Sequence, residues 1–134
     1  MLLLDTCALI WVANGDPIAP AALRAVNRAV AAGELFLSPV SAWEMGALAS
    51  RGKLELEVPV EAYVARIFSR PGIQIAPLTP EIAVRASSLP GRFHADPADR
   101  LLVATALVLG LRLMTRDQKI LAYGAQGYLP VAGC

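Results

Sequence analysis

Histidine and cysteine are scarce in this chain of 134 residues: His94 is the one histidine, and Cys7 and Cys134 lie near opposite ends. That scarcity argues against a zinc cluster, which takes its ligands from several such side chains at short spacing. It also argues against the disulfide framework of a small secreted scaffold and fits a reduced, cytoplasmic setting. Charge of one sign is missing too. The net charge is +1 with 17% charged residues, so no global basic field advertises nucleic acid. Any polyanion has to be held by a local site. Long apolar runs are absent. Leu101 to Leu111 is too short to span a bilayer. The N-terminal MLLLDTCALIWVA has no basic leader and carries Asp5 within it, so it is not expected to act as a signal peptide. No repeat or low-complexity linker interrupts the chain. What is abundant is apolar side chain, 56% of residues, which speaks against disorder. The length suits a single domain, residues 1–134, with a sizeable core.

Short apolar runs alternate with helical patterns. Met1–Leu4, Glu34–Leu37, Ile73–Ala76, Arg112–Met114 and Leu129–Ala132 read as strands. None alternates strictly between apolar and polar, as expected of strands covered on both faces. Between them lie helices over Thr6–Ala13, Ala19–Ala32, the stretch PVSAWEMGALASRG, Pro59–Ser69, Thr79–Leu89, the stretch from Pro97, and Asp117–Gly124. Two of these starts carry capping-box patterns, Ser41-Ala42-Trp43-Glu44 and Asp96-Pro97-Ala98-Asp99. The order predicts an α/β fold with a mainly parallel five-stranded sheet between helical layers.

Four acids attract notice because of where they fall. Asp5 ends the first strand, Asp117 follows the fourth, Glu44 lies near the start of the helix after the second, and Asp99 opens the long helix from Pro97. In a doubly wound sheet the strand C-termini share one edge, and that edge holds the ligand crevice. The rule places Asp5 and Asp117 there, with Glu44 one turn into its helix. It does not place Asp99, which follows a loop. Each acid also has a purely local role as a helix cap or first-turn acid. Jointly, carboxylates crowded within about 4–6 Å raise one another's pKa unless a cation intervenes. A hard divalent ion with oxygen ligands, Mg²⁺ or Mn²⁺, answers that repulsion. Such a site suits phosphoester hydrolysis.

Arg100, Arg116 and Lys119 neighbour the acids and are candidates for phosphate contact, or for a solvated helix face. Thr6 and Thr115 each flank an acid at a strand end, where a hydroxyl can orient a carboxylate or cap a helix. Asp96 is read mainly as an N-cap. His94 is read as a loop residue near the site rather than a general base, and Trp11 and Trp43 as core or partner surface.

LLLDTCALIW, LSPVSAWEMGALASRGKLEL, LPGRFHADPADRLLVATAL and LMTRD run in this order along the chain. Together they resemble the PIN-domain ribonucleases, specifically the VapC-type toxins of bacterial toxin–antitoxin pairs. The resemblance implies a three-layer α/β/α fold and a Mg²⁺- or Mn²⁺-dependent endoribonuclease. It implies that Asp5, Glu44, Asp99 and Asp117 form the acidic quartet, with Asp5 and Asp99 the metal ligands. It further implies a homodimer silenced by a small antitoxin protein. Cys7, Ala98 and Leu48 stand where relatives often carry histidine, phenylalanine and lysine. Two rival readings compete: a non-catalytic α/β binding module whose acids are only caps, and an aspartate-nucleophile phosphatase or phospho-acceptor acting through Asp5.

Overall fold

A computed structural model describes residues 1–134. Five strands, β1 (Leu2–Leu4), β2 (Leu35–Leu37), β3 (Ile73–Ile75), β4 (Arg112–Thr115) and β5 (Val131–Gly133), form one sheet in the order β3-β2-β1-β4-β5. Every pairing is parallel. Seven helices connect them: α1 (Thr6–Asn14), α2 (Pro20–Ala32), α3 (Pro39–Ser50), α4 (Val60–Phe68), α5 (Pro80–Ser87), α6 (Pro97–Leu109) and α7 (Gln118–Ala125). No helix is long and apolar enough to cross a membrane.

The two-residue side-chain period of a strand divides the apolar residues between two cores. Leu2 and Leu4 of β1, Leu35 and Leu37 of β2, and Met114 of β4 face one side, against Leu9, Val26, Met45 and Ile67 of α1 to α4. Leu3 and Leu113 face the other, against Ile82 of α5, Val103 of α6, and Ile120 and Tyr123 of α7. The result is three layers, helices on both faces of a parallel sheet. Because both faces are buried, the strands lack polar alternation, as their composition indicates.

The strand order reverses at β1, whose neighbours are β2 on one side and β4 on the other. That reversal opens a crevice beyond the strand C-termini, between β1 and β4. A smaller contact closes its far side. Val40 of α3 packs against Ala98 and Leu102 of α6, so the start of α6 lies beside α3 and its first-turn residues face the crevice.

Two local expectations are corrected. Strand β5 begins at Val131, not Leu129. Pro130 has no N–H to give the ladder, although its carbonyl still accepts from Leu113 N–H at 3.0 Å. Leu129 instead enters the core, 3% exposed. Helix α3 starts one turn earlier than the Ser41 capping box requires. Ser38 is its N-cap, accepting from Val40 N–H at 3.1 Å, with Pro39 at the first helical position. Proline there is pre-set for helix and presses Ser38 into extended backbone. The earlier serine therefore wins the cap, and Ser41 is left inside the first turn.

Candidate active site

The cleft at the crevice encloses about 250 Å³ and is lined by Asp5, Thr6, Cys7, Trp11, Glu44, Asp99, Arg116 and Asp117. All four acids singled out in the sequence share it. Each is placed by a different device.

Asp5 follows β1 and caps α1: its Oδ1 accepts from Ala8 N–H at 2.7 Å. Its other oxygen, Oδ2, accepts from the Thr115 hydroxyl at the end of β4. The parallel register aligns Leu4 with Met114, which brings residues 5 and 115 side by side. Only 6% of Asp5 is exposed. Burial pushes its carboxyl up from the usual range; the Thr115 and Ala8 donors pull it back, and the Asp117 charge adds to the rise.

Glu44 lies beyond the first turn of α3, where no capping role is open to it. Its Oε1 accepts from the Thr6 hydroxyl. Thr6 Oγ1 also lies 3.0 Å from the Ser41 Oγ, one turn before Glu44 on the same helix face. Thr6 and Ser41 are both buried, so this polar knot ties α1 to α3 inside the protein. Burial raises the Glu44 carboxyl, offset by Thr6 and reinforced by the charges of Asp96 and Asp5.

Asp117 caps α7, accepting from Lys119 N–H at 2.9 Å and Ile120 N–H at 3.0 Å through Oδ1. Its own N–H donates to Thr115 Oγ1 at 2.9 Å. Thr115 thus bridges Asp5 and Asp117 without an ion.

Asp99 is different. Asp96 caps α6, accepting from Asp99 N–H at 2.9 Å. The reciprocal half of that capping box is not made: Asp96 N–H donates to His94 Nδ1 at 3.3 Å. The Asp99 carboxylate is left free of backbone donors. Burial first, then the charges of Asp96, Asp117, Glu44 and Asp5, raise its pKa to about 7.

Several residues that sequence reasoning set aside stand at the cleft. Cys7 lines it, its thiol pushed up by burial and by the charges of Asp5, Glu44, Asp99 and Asp117. Two residues past Asp5, in the first turn of α1, its position was the available signal. Trp11 lies under the Arg116 guanidinium, 4.0 Å from carbon to ring centroid, and Arg116 also donates to the Cys134 backbone oxygen at 2.9 Å. His94 Nε2 approaches Asp99 Oδ2 at 3.3 Å. Trp43 is not core: 67% of it is exposed. Arg100 is not brought to the cleft. Its donors go to the backbone oxygens of Ala86, Phe93 and His94, where they hold the loop before α6. Lys119 is exposed on α7.

An all-carboxylate donor set fits a hard divalent cation, and three of its members are shifted upward, by burial first and by one another's charge second. No three histidine, cysteine or acidic side chains are grouped closely enough to hold an ion among themselves. Water has to complete any coordination sphere, which is the habit of Mg²⁺. The N-termini of α1, α6 and α7 begin at this cleft and add their positive dipole ends. The arrangement can hold a cation beside anionic substrate.

With this geometry in view, comparison with known proteins is specific. Residues 2–125 match the PIN domain family. The chain is 33% identical over 120 residues to Ribonuclease VapC22 of Mycobacterium tuberculosis, covering 89% of this chain and 88% of that protein. In fold it is similar to a subunit of DNA-bound VapBC from Salmonella typhimurium, with a TM-score of 0.69 at 15% identity over 98% of this chain and 96% of the other. It is likewise similar to a toxin-antitoxin complex from Klebsiella pneumoniae, with a TM-score of 0.63 at 22% identity over 98% and 96%. A parallel sheet in the order 3-2-1-4-5, with acids at its reversal point and a family match over nearly the whole length, makes this chain a member of the PIN-domain family.

Proposed function

We propose that this protein is a Mg²⁺- or Mn²⁺-dependent endoribonuclease, the toxin of a toxin–antitoxin pair. The observation that carries the reading is the convergence of Asp5, Glu44, Asp99 and Asp117 on one cleft at the switch point of a PIN fold. Similarity to a ribonuclease over 120 residues supports RNA as substrate.

In this reading Asp5 and Asp99 hold the cation, with Glu44 and Asp117 completing the site directly or through water. A bound divalent cation supplies an acidified water and offsets charge growing on the phosphate. The chain's own side chains do the rest. Asp5 is oriented by Thr115 and the Ala8 N–H, so its carboxylate cannot rotate away. Thr6 holds Glu44 at the opposite wall. Arg116, steadied by Trp11, presents a guanidinium at the mouth of the cleft for a phosphate of the RNA backbone. Asp99, whose pKa is raised to about 7, would have to be deprotonated to hold a cation.

The aspartyl-nucleophile alternative is disfavoured, because the second acid such a site needs two residues after Asp5 is missing and Cys7 stands there. A caps-only module leaves Glu44 unexplained, since it caps nothing. The proposal extends to a cytoplasmic homodimer silenced by a small antitoxin protein, whose co-expression is expected to restore growth.

The test is cleavage of a mixed RNA pool with Mn²⁺, with and without chelator, by the wild-type chain and by Asp5→Asn. Asparagine is isosteric and still a good N-cap, so the fold is retained. Loss of cleavage by at least about a hundredfold is expected, since even partners behind metal ligands are worth 10–100-fold. Cleavage by Asp5→Asn at the wild-type rate would overturn the mechanism.

A further inference from the structure

Of all buried side-chain nitrogens and oxygens in the protein, one has no hydrogen-bond partner: His94 Nε2. Asp99 Oδ2 lies 3.3 Å from it. The approach is close but not aligned as a hydrogen bond. The other ring nitrogen is committed. His94 Nδ1 accepts from Asp96 N–H, so the neutral ring has to carry its proton on Nε2, the atom aimed at Asp99.

The loop that presents His94 is pinned from several directions. Arg100 donates to the Phe93 and His94 carbonyls at 3.0 and 3.2 Å and to the Ala86 carbonyl at 2.7 Å. Phe93 packs edge-on against Tyr123 of α7, with ring centroids 5.0 Å apart, and Tyr123 donates its hydroxyl proton to the Pro90 carbonyl. Gly91 turns with φ +67°, and a Cβ there would fall 2.5 Å from the Tyr128 ring. With its loop held and its Nδ1 committed to Asp96 N–H, the ring has less freedom than the Asp99 carboxylate, which no hydrogen bond of the protein holds.

We propose that His94 is a positioning residue for Asp99: its Nε2–H engages Oδ2, fixes the rotation of the carboxylate, and turns Oδ1 to the cleft. No hydrogen bond of the protein engages Oδ1, so that oxygen is available to a cation. His94 thereby takes over the half of the α6 capping arrangement that Asp99 gives up: it occupies the Asp96 N–H, which a capping-box carboxylate would otherwise claim. One residue both withdraws the competing donor from Asp99 and offers a better-placed one. The part of the proposal that concerns a cation rests on the metal-dependent reading; the tautomer and the contact do not.

Two measurements test it. Long-range proton–nitrogen NMR spectra at about pH 8.5, where an ordinary imidazole is neutral, are expected to show the Nε2–H tautomer; an Nδ1–H ring overturns the proposal. Calorimetric titration with Mn²⁺ then compares wild type, His94→Gln, His94→Phe and Asp99→Asn. Glutamine places an amide nitrogen near the Nε2 position and is expected to bind within about threefold of wild type. Phenylalanine keeps the stacking on Phe93 but has no donor, and a 10- to 100-fold weaker Kd is expected, the usual effect of losing a partner behind a metal ligand. His94→Leu repeats the loss without a ring should the phenylalanine variant fold poorly. Wild-type affinity in both His94→Phe and His94→Leu, with binding abolished in Asp99→Asn, removes His94 alone. Absence of saturable Mn²⁺ binding in the wild-type chain removes the cation part together with the metal-dependent reading, and the NMR result then stands by itself.

Discussion

The two proposed ligands, Asp5 and Asp99, face each other across one cleft and are built on opposite principles. Asp5 ends a central strand, is nearly inaccessible, and has a donor on each oxygen. Asp99 sits in the first turn of a helix reached by a loop, keeps about a quarter of its side-chain surface exposed, and has one imidazole at 3.3 Å. The first carboxyl is also raised by burial, but its two donors hold it in place and offset part of that rise. At the second, burial and the like charges around it raise the pKa to about 7. A site built this way has a fixed wall and a wall that titrates. In the proposed function the fixed wall would define where a cation goes, and the titrating wall would make its arrival compete with a proton.

That contrast predicts opposite consequences for the same substitution, and this is the largest expected effect. Asp5→Asn and Asp99→Asn are both expected to lose RNA cleavage by at least about a hundredfold. Their stabilities without metal should diverge. Asp99 has a raised folded pKa, so between about pH 4 and 7 the native chain binds more protons than the unfolded one. The contribution of Asp99 to stability is therefore greatest below the unfolded pKa of 3.8 and is lost as pH rises through about 7. Asp99→Asn removes that loss and is expected to stabilise the chelated protein at pH 8 by about 1–3 kcal/mol, one pKa unit being about 1.4 kcal/mol. Asp5→Asn is expected to give no such gain, because the oxygen that accepts from the buried Thr115 hydroxyl is replaced by an amide nitrogen. Urea melts at pH 5 and pH 8 in chelator check both, and equal responses of the two variants would break the comparison.

Thr115 is the next lever, since it belongs to the fixed wall alone. Its hydroxyl donates to Asp5 and accepts from Asp117 N–H. Thr115→Val keeps the shape and strands both partners, at a cost of about 1–3 kcal/mol for the buried group left unpaired. Mn²⁺ affinity should fall 10- to 100-fold, while the pH dependence of stability attributed to Asp99 should persist. Loss of that pH dependence would mean that the two walls are not independent.

How much of this was readable from residues follows the same division. The fixed wall comes from strand ends, and strand ends are legible: short apolar runs punctuated by Asp5 and by Thr115-Arg116-Asp117 predict the sheet, its covered faces and the shared edge. All seven helices and five strands follow from periodicity and breakers, with β5 offset by two residues because Pro130 cannot donate. The titrating wall was less legible because a loop carries it. Nothing in the residues 88–96 announces that Arg100 turns inward to hold them, so Arg100 reads as a phosphate contact or a solvated helix face and His94 as a loop residue near the site. The Asp96–Asp99 pattern fits a capping box by spacing, yet its return bond is taken by an imidazole from outside the pattern. Trp43 reads as core or partner surface, and its exposure on α3 removes the first of these. Local spacing specifies which bonds are possible; tertiary competition decides which are made.

The smallest effect tests the same lesson on the fixed wall. Ser38 and Ser41 are three residues apart on α3 and both fully buried, and either one alone matches a helix-start pattern. Only Ser38 caps. Ser38→Ala is expected to cost about 1 kcal/mol of stability, the usual loss of an N-cap, and to leave Mn²⁺ affinity unchanged because Pro39 still sets the helix register. Ser41→Ala removes no cap. It takes away one neighbour of the Thr6 hydroxyl, and that hydroxyl still donates to Glu44, so a smaller loss is expected, together with a slight loosening of Glu44. Thermal melts and Mn²⁺ titration of the two variants separate the roles. If Ser41→Ala proves the costlier and shifts α3 amide exchange, then the capping box at Ser41 is real in solution. Glu44 would then serve its own helix before it serves the cleft.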